Sequence, residues 1–190
     1  MFKHPQIAAR AFPFLQDAVF AARRLHIILP LLPADTPVLA EIFRASIEEL
    51  TGDDYSPTQQ EAWASMADDV EEFGARLAGN LTLLGTIDGS PIGFASLKNN
   101  EHVDMLYVHP AVAGHGVGTM LIDALEKLAA ARGATRLSAD VSDSAEAFFK
   151  RRGFVPRQRN SVPVGNEWLA NTTMDKQLAA TEPAAKERSQ

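Results

Sequence analysis

The sequence contains no cysteine. That absence removes disulfides, thiolate-ligated zinc and a thiol nucleophile together. A basic surplus is also missing. Lys and Arg number 18 against 24 Asp and Glu, a formal net charge of -6, whereas a general nucleic-acid binder carries excess cations to neutralise phosphates. The deficit does not bear on a small anion held by local backbone amides. No apolar run approaches the roughly 20 residues that cross a bilayer. The first 24 residues are partly apolar, but Pro5, Arg10, Pro13 and Asp17 interrupt them, and no long apolar run precedes a small-residue cleavage site. Residues 1–24 therefore read as an arm or extra helix, and a cytoplasmic location is expected. The 190 residues suffice for one domain with its own core and a small appendage.

Periodicity divides the remainder. "LHIIL" at 25–29 is short, β-branched and closed by Pro30 and Pro33, as a strand would be. A helix follows, with Asp35 as its expected cap, Pro37 in its first turn and an apolar stripe of Leu39, Ile42, Phe43, Ile47 and Leu50. Ser56, Pro57 and Gln59 form a capping-box signature for a second helix, and a short third is expected from Val70 to Leu77. The pattern then changes to two apolar runs joined by Asp88-Gly89, a hairpin signal, although Pro91 and Gly93 weaken the start of the second run. Further strands are expected at "HVDMLYVH", "RLSADV", "FVPRQ" and "EWLANTTMDKQL". Helices are expected at 116–132, stopped by Gly133, and in "SDSAEAFFKRRG", stopped by Gly153. Residues 179–190 are polar and expected to be disordered. Together these elements predict a mixed α/β (α+β) domain of six or seven strands, with one parallel crossover through the 116–132 helix.

Between "HVDMLYVH" and that helix lie Gly114, Gly116 and Gly118. Glycines at a strand-to-helix junction bare N–H groups where the helix dipole favours negative charge, as a phosphate seat does. The spacing is G-x-G-x-G, not the G-x-G-x-x-G of dinucleotide folds, and Gly118-Thr119 lacks the lysine of a P-loop. A plain flexible loop is the alternative for the glycines alone.

With "HVDMLYVHP", "GHGVGTML" and, some thirty residues later, "AFFKRRGF", the chain resembles the GNAT superfamily of acyl-CoA-dependent N-acyltransferases over about residues 25 to 178. The resemblance implies a mostly antiparallel sheet with a central splayed parallel pair, flanked by helices. It also implies acetyl-CoA as acyl donor, no metal, and a small-molecule or protein amine as acceptor; a homodimer is left open. The family pattern Gln/Arg-x-x-Gly-x-Gly/Ala falls on Ala113, Gly114, His115, Gly116, Val117 and Gly118, with Thr119 following, and implies that this loop grips the pyrophosphate. Ala113 departs from the pattern, which removes a side-chain contact and leaves the amides. The backbone of Leu106, Tyr107 and Val108 is implied to pair with the pantetheine arm. Lys150, Arg151 and Arg152 suit a helix C-terminus by charge alone; the resemblance adds a 3'-phosphate contact, with Arg152 as candidate.

An alkyl amine has a pKa near ~10.4, so transfer to it needs a base. Strict alternation would put His102, Asp104, Leu106 and Val108 on one face of their strand and Val103, Met105 and Tyr107 on the other. His102 titrates near neutrality when unperturbed and suits a general base or a relay through water. Asp104 suits the base or the group that orients His102, and the family keeps its base at such positions. Where the family often has a tyrosine to protonate the leaving thiolate, this chain has Phe149, which leaves water or a hydroxyl such as Ser142 or Tyr107 for that duty; Phe149 itself is expected against the cofactor arm or in the core. By resemblance the acceptor wall falls on Phe43, Tyr55 and Trp168, with Trp63. Two rival readings are a non-catalytic acyl-CoA sensor and a module for another nucleotide.

Overall fold

The computed structural model describes residues 27–179. The expected arm, 1–24, the first residues of the expected first strand and all but the start of the expected tail lie outside the described residues. Strands β1 (Ile27–Pro30), β2 (Leu81–Ile87), β3 (Ser90–Lys98), β4 (His102–Val108), β5 (Arg136–Ser142), β6 (Val155–Val164) and β7 (Glu167–Gln177) form one sheet in the order β1-β2-β3-β4-β5-β7-β6. Every pairing is antiparallel except that of β4 with β5. Helices α1 (Thr36–Leu50), α2 (Pro57–Ala64), α3 (Val70–Ala78), α4 (Val117–Ala131) and α5 (Asp143–Arg151) cover it. Among the described residues no helix is long and apolar enough to cross a membrane.

Neighbouring residues of β3 point to opposite faces and so separate the layers. Phe94 meets Phe73 of α3 edge-on and stacks on Tyr107 of β4, while a Cβ on Gly93 would lie 3.2 Å from Val117 of α4 and 2.9 Å from the Tyr107 carbonyl oxygen. Helix α4 thus sits close against the sheet, and Gly93 serves this approach within the strand. Leu39, Ile42, Phe43 and Ile47 of α1 are buried on one side; Leu121, Ile122 and Leu125 of α4 are buried on the other.

Local signals act as their chemistry dictates. Asp88 and Gly89 both take positive φ, 50° and 82°, and turn the β2–β3 hairpin. The Ser56 hydroxyl accepts from Gln59 N while the Gln59 side chain accepts from Ser56 N, closing the capping box of α2. Asp35 differs from expectation. Its carboxylate accepts from Leu32 N at 2.9 Å and closes the turn ahead of α1, without bonding the helix's own amides. Leu50, expected in the buried stripe, is 40% exposed at the end of α1. Strand β6 is longer than "FVPRQ" because β7 pairs with it as far as Val164↔Glu167, and among the described residues its outer edge has no strand neighbour that needs the missing N–H groups of Pro156 and Pro163.

One irregularity matters most. In the β3–β4 register Ser96 pairs with Met105 and Leu97 with Val103, so Asp104 is an extra, unpaired residue. Such a bulge breaks alternation. Asp104 reaches Arg76 and Asn80 on the α3 side, the side on which Tyr107 meets Phe43, whereas Val108 lies by Gly93 and Gly118 on the α4 side. The expected common face of Asp104 and Val108 is therefore corrected.

Candidate active site

Strands β4 and β5 pair only at His102↔Ser138 and Val103↔Ala139 and then diverge. Beyond the fork, the edge of β4 facing β5 has no strand partner among the described residues from Asp104 onward. A cavity of about 380 Å³ occupies the gap. Its walls are β4 from Val103 to Val108, β5 from Ala139 to Ser142, the loop residues Ala113, Gly114 and Gly118, and Ser144, Ala145, Phe148, Phe149 and Arg151 of α5. The end of α1 and its neighbours close the far side with Ser46, Leu50, Thr51 and Trp63.

The loop at the mouth is shaped by its glycines. Gly114 and Gly116 hold φ of 76° and 88°, and a Cβ at either would meet nothing within 4 Å, so conformation and not crowding requires glycine there. His109 Nδ1 accepts from Ala111 N, and the His115 ring bonds back to the Ala113 carbonyl at 2.9 Å, so both imidazoles are engaged within the loop. Burial lowers the His109 pKa below its ordinary value and keeps the ring neutral. Gly116 starts α4 without a side-chain cap, so the first-turn amides of Val117, Gly118 and Thr119 have no intrahelical acceptor and no capping oxygen. The Val117 side chain is buried beneath the loop.

At the apex of the fork stands Asp104. Its carboxylate accepts from Arg76 Nε at 3.1 Å and Nη2 at 2.9 Å, and from Asn80 Nδ2 at 3.1 Å, with the side chain 10% exposed. The next register position on β5 is Asp140, also in the wall, whose Oδ1 accepts from the Thr173 hydroxyl at 2.6 Å. Tyr107 is enclosed by Phe43, Phe94 and Trp63; burial raises its pKa, and the Trp63 indole N–H bonds its hydroxyl. The phenol is neutral at every ordinary pH.

Of the residues singled out from the sequence, Trp63, Asp104, Leu106, Tyr107, Val108, Ala113, Gly114, Gly118, Ser142 and Phe149 line this cavity. His115, Gly116, Val117 and Thr119 complete the loop. Others fall elsewhere. His102 lies at the paired end of the fork, outside the lining, with Nδ1 2.9 Å from Ser138 Oγ, and Asp104 does not orient it. Arg152 turns away to pair with Asp123 of α4, and its neighbour Arg151 lines the cavity instead. Phe43 is core, edge-on to Tyr107. Trp168 is 62% exposed on β7 and contributes only a carbonyl, which accepts from Gln59. Tyr55 is buried as a tether: its hydroxyl donates to the Ala170 carbonyl at 2.6 Å and accepts from Asp143 N at 3.0 Å, joining the α1–α2 connection to β7 and to the start of α5. Sequence reasoning missed Ser46, Leu50 and Thr51 as wall residues. A serine beside the apolar stripe of α1, 8% exposed in the fold, is the one local signal that pointed there.

Comparison with known proteins bears on the family and the fold. A family model described as an acetyltransferase (GNAT) domain matches residues 51–178. A crystal structure from Rhodopseudomonas palustris, described as a GCN5-related N-acetyltransferase and in the same phrase as a class-II aminotransferase, superposes with a TM-score of 0.80 at 61% identity, covering 80% of this chain and 96% of that one. The uncharacterized N-acetyltransferase YafP of Escherichia coli is 30% identical over 142 residues, 75% of this chain and 89% of YafP. The peptidyl-lysine N-acetyltransferase YjaB of Salmonella typhimurium is 30% identical over 124 residues, 65% of this chain and 69% of YjaB.

Proposed function

The chain belongs to the GNAT acetyltransferase family, and from that premise we propose that it moves an acetyl group from acetyl-CoA to a primary amine by direct attack, with both substrates in the fork at once. The observation that carries this reading is the juxtaposition of an unpaired β4 edge with a glycine loop whose amides lack acceptors. An extended pantetheine arm can pair with such an edge as an added strand does, and a diphosphate suits the loop. Arg151, in the wall at the end of α5, is the cation available to a further phosphate. Among the described residues no lysine lines the cavity, where aminotransferase chemistry requires one for its Schiff base.

Asp104 is the residue we assign to the amine. It stands at the apex, fixed by three donated hydrogen bonds, so its negative charge is held where an ammonium or an ordered water would meet it. His102 lies outside the lining, which favours Asp104 over it. In the reaction the amine nitrogen loses a proton toward Asp104, directly or through water, and attacks the thioester carbonyl. The C–N bond forms, the C–S bond breaks with its electron pair on sulfur, and the second nitrogen proton, shed as the amide forms, ends on the thiol, while the first passes from Asp104 to solvent. Asp140 adds a second carboxylate at the apex, in keeping with a cationic amine. YjaB acts on peptidyl lysine by its name, and a lysine side chain and a small alkyl amine both fit this chemistry.

The test is a panel of amines, amino acids and lysine peptides incubated with the full chain and acetyl-CoA, with coenzyme A release as readout. Thiol release with at least one amine is expected. Acetyl-CoA binding in calorimetry without release across the panel would instead favour a sensor.

A further inference from the structure

We infer that the hydroxyl of Ser142 donates the hydrogen bond that stabilises the departing thiolate, a duty that α5 cannot perform through Phe149; this rests on the acetyl-transfer reading above. Five hydroxyl-bearing residues line the cavity: Ser46, Thr51, Tyr107, Ser142 and Ser144. Three are committed. Thr51 Oγ1 donates to the Ile47 carbonyl at 2.7 Å, and Ser144 Oγ donates to Asp54 at 2.7 Å. Tyr107 is walled in by aromatic rings and bonded by Trp63. Ser142 ends β5 immediately before α5, and its side chain makes no capping bond to that helix. The amides an N-cap serine would bond, those of Ser144 and Ala145, donate nothing to it, and the Asp143 amide between them and Ser142 donates to the Tyr55 hydroxyl at 3.0 Å. The Ser142 hydroxyl is therefore left to the cavity.

Its position fits the leaving group. Counted along the diverging strands from Val103↔Ala139, Ser142 corresponds to Leu106 across the gap, two residues beyond Asp104 toward the glycine loop, and both line the cavity. Two strand residues span about 6 to 7 Å, which matches the distance from a base, through nitrogen, carbon and sulfur, to a donor on the sulfur's far side. The sulfur also departs in that direction, because the arm that carries it runs on to the loop. Ser46 comes from α1, on the side where the amine would enter. A serine hydroxyl is a much weaker acid than a thiol of pKa near ~8.5, so Ser142 keeps its proton. It donates a hydrogen bond to sulfur as charge develops, and the proton that sulfur finally gains is the one nitrogen sheds as the amide forms. The C–N bond made and the C–S bond broken are those of the parent reaction.

The experiment compares Ser142→Ala, Ser142→Thr, Ser46→Ala and the double variant Ser142→Ala/Phe149→Tyr with the parent chain. Acetyl-CoA and the best amine from the panel are the substrates, and calorimetry with acetyl-CoA follows binding. Ser142→Ala should lower kcat roughly 10- to 100-fold while the Kd for acetyl-CoA changes less than about threefold, because the bond strengthens only as charge appears on sulfur. Ser142→Thr, which keeps a hydroxyl, should retain most of the rate. The double variant, which supplies a phenol from α5, should recover part of it. Ser142→Ala must also lose more than Ser46→Ala. Equal rates for Ser142→Ala and the parent chain, or a fall in Ser142→Thr as deep as in Ser142→Ala, would overturn the role of Ser142 and leave the transferase reading standing. A parent chain that releases no coenzyme A with any amine would overturn both.

Discussion

The two ends of the β4–β5 pair are built from the same strands and behave oppositely. At the closed end, His102 and Ser138 satisfy each other through backbone register and a side-chain bond. Three residues on, the strands have parted, the β4 edge has no strand beside it among the described residues, and a serine hydroxyl is left unengaged. Polar groups in a folded chain normally find partners, so a run of them facing a cavity marks a place where a ligand completes the bonding. A histidine is the more reactive side chain in isolation, yet here the reactive-looking residue sits at the end that is already complete. Asp104 stands at the pivot between the two.

That contrast can be broken most forcefully at the pivot. Asp104→Asn keeps hydrogen-bonding shape and removes the charge, and is expected to lower kcat by about 10²- to 10⁴-fold; His102→Ala, assayed alongside, should retain activity within a few-fold. If the histidine variant were the dead one, the assignment of the two ends would be reversed. Next in size is the loop. Valine at 116 would have to adopt a φ of 88°, costing on the order of 1–2 kcal/mol, and weaker acetyl-CoA binding in calorimetry by roughly tenfold is expected. Tyr55→Phe removes the hydroxyl that serves both Ala170 and Asp143 and should cost about 1–3 kcal/mol of stability in urea unfolding, with a raised KM for the amine. The smallest effect concerns pH. Burial lowers the folded-state pKa of His109, so the unfolded chain takes up the proton first, near its ordinary ~6.5. Stability from this group is fully present above that value and is lost as pH falls through the lower, folded-state pKa. His109→Gln should flatten that part of a Tm-against-pH curve.

Signals that act within a few residues were legible in the sequence. Asp88-Gly89, the Ser56 box, and the glycines at 114 and 116 each impose a conformation regardless of what packs around them. The glycine loop also carried the family resemblance, and with it the fork. What could not be read depends on register between distant strands or on which way a helix end faces. Nothing local to "HVDMLYVH" announces that Asp104 has no partner in β3, because a bulge is a property of two strands counted together. The choice between Arg151 and Arg152 was hidden for a similar reason: it follows from where Asp123 of α4 lies. Tyr55 read as a wall because an aromatic beside two aspartates resembles a binding surface; its true bonds reach 88 and 115 residues along the chain.

The surplus residue in β4 has an evolutionary consequence. Deleting Val103 would let Asp104 take its place opposite Leu97 and restore an uninterrupted ladder, and would swing the carboxylate to the opposite face of the sheet. On the proposed role of Asp104, substitutions in the surrounding wall leave the charge in place, whereas a single-codon insertion or deletion in this strand is expected to displace it.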